Sequence, residues 1–259
     1  MKVVILAGGL GSRLSEETTI RPKPMVKIGN FPIIWHIMKI FSHFGYNEFI
    51  ICCGYMSFTI KEYFINYRFH NSNLTVNLEN NNVEILNKSI EKWKVTLIDT
   101  GDNSNTGGRI KRIKNLIGDD KSFFMTYGDG LADIDISKLY ESHLNSNKLA
   151  TVTAVQPLGR FGSLNINKKK EVTDFKEKPL GDSQWINGGF FVLNKEIFEF
   201  IEGDETIFEQ EPLQELVDKN QLNAFSHDKF WQPMDTLREK NKLNQLWSQN
   251  KAPWKIWDD

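Results

Sequence analysis

The sequence predicts an α/β fold: a mixed, mostly parallel sheet flanked by helices, with β insertions. Three observations carry that prediction. The first third of the chain alternates strand and helix, the rhythm of a parallel sheet with helical crossovers. Its first strand runs straight into a glycine-rich loop, Gly8-Gly9-Leu10-Gly11. The composition is globular, with 40% hydrophobic and 25% charged residues over 259 positions, enough chain to bury one large core.

Residues 2–6 read as a buried strand. Ile33, Ile37, Ile40, Phe41 and Phe44 recur at helical spacing, which predicts a helix over 32–44 with Pro32 in its first turn. Residues 48–53 are a second buried strand, and 57–66 a helix with Ser57 as its N-cap. From 74 to 99 the rhythm breaks. Residues 74–79, 83–86 and 94–99 read as antiparallel strands of a β insertion, with a turn at Asn80-Asn81-Asn82. A helix follows over 106–116, with glycines at its entrance. A strand over 122–127 then runs into Gly128-Asp129-Gly130. Residues 136–146 form a helix and 149–156 a strand. Strands and turns fill 160–193, with Lys168-Lys169-Lys170 at a hairpin tip. Helices over 194–201, 209–219 and 235–249 complete the chain. No linker divides it, so one domain is expected over 1–259.

Lysine and arginine total 32 against 33 acidic residues, a formal charge of −1. That balance argues against a nucleic-acid binder working by bulk electrostatics. No stretch approaches the roughly 18 apolar residues of a membrane span. The apolar opening is cut off by Gly8-Gly9-Leu10-Gly11-Ser12-Arg13, too early for a signal peptide. Cys52 and Cys53 are the only cysteines. Adjacent thiols in an apolar run fit core packing in a reducing cytoplasm better than a disulfide or metal site. His36, His43, His70, His143 and His227 show no metal spacing and no nucleophile partner. Trp231, Trp247, Trp254 and Trp257 make the last part aromatic, which fits core packing or a subunit interface.

The strongest chemical signal is Leu6-Ala7-Gly8-Gly9-Leu10-Gly11-Ser12-Arg13 with Arg21-Pro22-Lys23-Pro24. A glycine turn after a parallel strand lets backbone N–H groups approach phosphate oxygens, and Arg13 and Lys23 add charge. Pro22 and Pro24 stiffen the backbone around Lys23. The loop is not a P-loop, because no Gly-x-x-x-x-Gly-Lys-Ser/Thr string exists. Nor is it a dinucleotide fingerprint, because Leu14 stands where the third glycine belongs. Read alone, the residues favour Asp129 as a turn residue between two glycines, Asp235 as a helix N-cap and Arg109 as an exposed helix-face arginine.

These strings, followed in order by Tyr127-Gly128-Asp129-Gly130, Glu177-Lys178-Pro179, Trp185-Ile186-Asn187-Gly188-Gly189 and Phe230-Trp231-Gln232-Pro233-Met234-Asp235-Thr236, resemble the sugar-1-phosphate nucleotidylyltransferases. The likeness runs from Met1 to about Trp257 and is greatest to the cytidylyl branch. Ser12, Asn30 and Ser104 depart from the family's commoner residues, and both serines keep a hydroxyl.

The resemblance implies a Rossmann-like fold and transfer of a cytidylyl group from CTP to glucose 1-phosphate, with Mg²⁺ and release of pyrophosphate. It implies Arg13, Lys23 and Asp129 as catalytic residues, with Asp129 and Asp235 as metal ligands. Nucleotide contacts would come from Leu6, Ala7, Gly8, Gly9, Leu10, Gly11, Ser12, Arg13, Lys23, Ser104, Arg109 and Gly128. Sugar contacts would come from Tyr127, Glu177, Lys178 and Asn187. It also implies a cytoplasmic homo-oligomer, a trimer or hexamer. Rival readings are a thymidylyl- or uridylyltransferase and a non-catalytic nucleotide-sugar binding protein.

Overall fold

The computed structural model describes residues 1–86, 91–157, 163–176 and 184–258. Its frame is a seven-stranded sheet. In chain order the strands are β1 (Val3–Leu6), β2 (Glu48–Cys53), β3 (Lys94–Asp99), β4 (Ser122–Tyr127), β5 (Ala150–Val155), β6 (Ile186–Asn194) and β7 (Leu222–His227). Across the sheet they lie β7-β5-β6-β4-β1-β2-β3. β1 pairs in parallel with β2 and β4, β2 with β3, and β5 with β7. Only β6 runs against its neighbours β4 and β5. The expected mixed, mostly parallel sheet is therefore present.

Both faces of this sheet are covered, which is why its central strands read as continuous apolar runs. Successive side chains point to opposite faces. Val3 and Ile5 join one core with Ile33, Ile37 and Phe41 of α1 (Ile33–His43). Val4, Leu6 and Cys52 join a second core with Ile110 of α3 (Thr106–Arg112) and Leu216 of α5 (Glu211–Asp218). α2 (Ser57–Ile65) and α4 (Ile136–Ser146) complete the crossovers on the first side. The tail folds back onto that first core, with Trp254 fully buried and Trp257 nearly so, beneath α6 (Leu237–Ser248).

Two sequence expectations change. Residues 94–99 are not an antiparallel strand of an insertion: β3 is the parallel edge of the main sheet, Glu48 to Cys53 matching Lys94 to Asp99. As an edge strand it is only half-buried, with Val95 and Leu97 against the first core and Ile98 against the second. The hairpin Leu74–Asn77 with Asn82–Ile85 is the antiparallel part. Ser57 is the first helical residue of α2 and not its cap. Met56 holds the cap position at φ 50°, because Ser57 N–H already closes a turn on Gly54 O.

The cysteines are free and buried, and burial pushes the Cys53 thiol up to about 11. His36, His143 and His227 take core positions, while His43 and His70 are exposed. Among the described residues no helix is long and apolar enough to cross a membrane.

Candidate active site

Open α/β sheets bind ligands beyond the carboxyl ends of their strands, where the strand order reverses. Here β1 leads outward to β2 and β3, and β4 then returns to β1's other side. The switch point therefore lies between β1 and β4. The loop over residues 7–13 leaves one strand and Gly128-Asp129 the other. Gly9, Leu10, Ser12 and Arg13 are exposed there, and Gly11 turns the chain at φ 66° into the short helical turn Ser12–Leu14.

Asp129 and Asp235 are 106 residues apart in the chain, yet a small two-stranded ladder joins them. Gly130–Ala132 pairs with Trp231–Pro233, and Met234 N–H donates to Asp129 O at 2.8 Å. Asp235 is not the N-cap that its position suggests. Thr236 caps α6 in a reciprocal box with Glu239, and Glu239 also accepts from Asp235 N–H at 2.8 Å. The backbone around Asp235 is thus held by the cap without using its carboxylate, which pairs with Arg13 and Lys23 instead.

One ammonium bridges the two acids. Lys23 Nζ lies 2.6 Å from Asp129 Oδ2 and 2.5 Å from Asp235 Oδ1. Arg13 Nη1 reaches Asp235 Oδ2 at 2.7 Å from an exposed side chain. Lys23 itself is buried, in the turn Lys23–Met25 between two prolines. Burial is the largest influence on its charge and opposes it. The two carboxylates together outweigh burial and hold the ammonium's pKa above its ordinary value. So Arg13, Lys23, Asp129 and Asp235 meet at one point.

Arg109 is neither the exposed helix-face arginine that its neighbours suggest nor a solvent-facing contact. It is buried, and its guanidinium donates to Cys53 O, Thr100 Oγ1, Gly101 O, Gly8 O and Asp102 O at 2.8–3.2 Å. A Cβ at Gly8 would stand 2.0 Å from its Nη1. Gly8 is therefore the residue that lets Arg109 fasten the start of the loop. Ser104 is buried beside Asp204, and Gly128 N–H donates to Leu6 O at 3.0 Å. Tyr127 and Asn187 meet at 3.1 Å. Glu177 and Lys178 lie outside the described residues. Glu209, which the sequence did not single out, accepts from Tyr127 at 2.6 Å.

A paired carboxylate site fits Mg²⁺, which is bound by one or two protein carboxylates and completes its shell with water and phosphate oxygens. Among the described residues no larger cluster of histidine, cysteine, aspartate or glutamate could hold a metal.

A family model described as Nucleotidyl transferase matches residues 2–257. The chain belongs to the nucleotidyl transferase family. Within the nucleotidyl transferases it is similar to the glucose-1-phosphate cytidylyltransferases of Salmonella typhimurium and Salmonella typhi. Each is 55% identical over 258 residues, covering all of both chains. Among solved structures, HddC from Yersinia pseudotuberculosis complexed with GMP-PN superposes with a TM-score of 0.67 at 25% identity, covering 95% of this chain and 99% of that one. UDP-glucose pyrophosphorylase complexed with UDP-glucose has a TM-score of 0.67 at 16% identity, covering 96% and 98%, a likeness of fold alone.

Proposed function

We propose that this chain, acting as one unit over 1–259, transfers a cytidylyl group from CTP to α-D-glucose 1-phosphate, giving CDP-glucose and pyrophosphate. The observation that carries the substrates is the 55% identity, end to end, to two glucose-1-phosphate cytidylyltransferases. The geometry supports the reaction class. A sugar phosphate oxygen is already ionised at neutral pH, so its in-line attack on the α-phosphorus needs no protein nucleophile or base. What it needs is positioning and compensation of negative charge.

The residues at the switch point supply both. The loop over 8–13 offers backbone N–H groups to the triphosphate. Arg13 and Lys23 stabilise charge as pyrophosphate departs. Asp129 and Asp235 would hold Mg²⁺, which when bound neutralises phosphate charge. Two carboxylates are already matched by two cations, Arg13 and Lys23. A divalent ion adds positive charge that only an anionic ligand offsets, so metal and nucleotide bind together. Tyr127, Glu177, Lys178 and Asn187 take the sugar phosphate, and Ser104, Arg109 and Gly128 belong to the nucleotide side. The same reading makes the protein a cytoplasmic homo-oligomer, trimeric or hexameric.

The test is magnesium-dependent pyrophosphate release from glucose 1-phosphate with CTP, UTP, dTTP, ATP and GTP in parallel. CTP gives the highest kcat/KM. A preference for dTTP or UTP would replace the cytidylyl assignment and keep the reaction class. No release with any nucleotide would make the chain a binding protein.

A further inference from the structure

Four side chains from four distant segments form one hydrogen-bonded line beside Asp129. Glu209 stands in the turn ahead of α5, Thr106 opens α3, Tyr127 ends β4 and Asn187 begins β6. Thr106 Oγ1 donates to Glu209 Oε2 at 2.5 Å, and Tyr127 O–H donates to Glu209 Oε1 at 2.6 Å. Asn187 Nδ2 donates to Tyr127 Oη at 3.1 Å, and Asn187 Oδ1 accepts from Gly189 N–H at 2.8 Å.

The direction of every bond in this line follows from one member. An ionised carboxylate only accepts, whereas a phenol both donates and accepts. With Glu209 at one end, the Tyr127 proton is committed to it. The phenol oxygen is then left to accept, and it can accept only from the amide nitrogen of Asn187. The Gly189 N–H at the far end fixes the same choice, because it needs the amide oxygen. Burial, and Glu209 after it, raise the Tyr127 phenol above its ordinary value, so it keeps its proton.

Backbone geometry holds the line in place. The β5–β6 register shifts between Val152, opposite Phe191, and Ala154, opposite Asn187. Such a bulge re-aims a side chain. Gly189 lies within it at φ 82°, and a Cβ there would stand 2.7 Å from the Tyr127 ring. Tyr127 therefore packs directly on the bulge that presents Asn187, which is exposed.

We infer that Glu209 is a positioning residue for the sugar-phosphate subsite: its carboxylate orients the Tyr127 hydroxyl and, through it, the Asn187 amide. This rests on the reading that Tyr127 and Asn187 face the sugar. Glu209 does not touch the reacting atoms. Its contribution is to turn the Tyr127 proton away from Asn187, so that the amide, oriented by Gly189 N–H, meets an acceptor and is held at both ends toward the incoming sugar. Replacing the carboxylate by an amide puts a donor into the line. The phenol can then accept from it and turn its proton toward the Asn187 amide nitrogen, which Gly189 N–H keeps on that side, and the Tyr127–Asn187 bond is lost.

The experiment is steady-state kinetics on the full chain, varying each substrate separately, with urea unfolding of each variant. Glu209→Gln raises KM for glucose 1-phosphate roughly tenfold, the size expected when one hydrogen bond is lost, and leaves KM for CTP within about twofold. Tyr127→Phe has a similar selective effect. The double variant is no worse than Tyr127→Phe alone, because the second change acts through a hydroxyl already removed. Glu209→Asp keeps the carboxylate and gives the smaller loss; it is the variant to measure should Glu209→Gln unfold. Equal effects of Glu209→Gln on both substrates, or strictly additive losses, would overturn the positioning role. Asn187→Ala separates the two layers. If it raises KM for glucose 1-phosphate and Glu209→Gln does not, the line is not what orients the amide. If Asn187→Ala leaves that KM unchanged, the sugar-subsite reading falls and this inference falls with it.

Discussion

The loop after β1 and the entrance of α3 both place paired glycines ahead of an arginine: Gly8-Gly9 before Arg13, and Gly107-Gly108 before Arg109. Arg13 reaches across solvent to Asp235, while Arg109 is buried among carbonyls that include Gly8 O. A Cβ at Gly9 would meet nothing within 4 Å. One at Gly107 would stand 2.6 Å from Thr206 O, and one at Gly108 2.5 Å from Asp204 Cα. In the first pair Gly8 makes room for Arg109 and Gly9 faces open space, which on the proposed function takes the nucleotide. The second uses its glycines to let α3 pack on the segment 204–206. A glycine pair thus announces that something approaches the backbone closely, and only the fold tells whether that is ligand or protein.

The largest effects should come from the open side. Asp129→Asn and Asp235→Asn are each expected to lower kcat by ~10²-fold or more, since positioned charge carries the reaction. Because both acids serve one ion, the double variant should lose less than the two single losses combined. Additive losses in the pyrophosphate assay would separate the pair.

Substitutions at the glycines themselves separate the two loops. Gly108→Ala forces a methyl against backbone and should cost about 1–3 kcal/mol in urea unfolding. Gly9→Ala should leave stability within about 0.5 kcal/mol and raise KM for CTP instead. Equal destabilisation by the two would mean that both loops are packing devices.

A smaller effect sharpens the same divide between packed and open regions. His36 lies under Trp247 and Trp254, faces Ile28 O at 3.0 Å, and is lowered to about 4 by burial. The unfolded chain takes up this proton near pH 6.5 and the folded chain only near 4. Between those values the unfolded state binds more protons, so stability falls as pH falls. From pH 7.5 to 5.5 the loss should be roughly 1 kcal/mol, absent in His36→Gln, by urea unfolding at each pH.

The sheet was readable because doubly covered strands leave unbroken apolar runs, as in Ile5-Leu6 and Ile50-Ile51. β3 was misread because it follows the 74–85 hairpin directly in the chain, and nothing in its own residues marks β2 as its partner. The site's members were readable only as motifs. Nothing in the spacing pairs Asp129 with Asp235; the ladder of Gly130–Ala132 on Trp231–Pro233 does. Arg109 looked like a surface arginine beside Lys111 and Arg112, since its acceptors are four backbone carbonyls and the Thr100 hydroxyl, which no side-chain pattern announces. Glu209 carried no signal at all. Its meaning comes from Tyr127 and Thr106, 82 and 103 residues away.

On the proposed function, the Lys23-bridged carboxylates form a metal site that fills together with nucleotide. Mn²⁺ binding by electron paramagnetic resonance, in place of Mg²⁺, tests it directly. The full chain should bind Mn²⁺ weakly alone and one ion per chain once CTP is added, with affinity lowered about tenfold or more in Asp129→Asn and Asp235→Asn. CTP-dependent Mn²⁺ binding that is unchanged in both variants would contradict it.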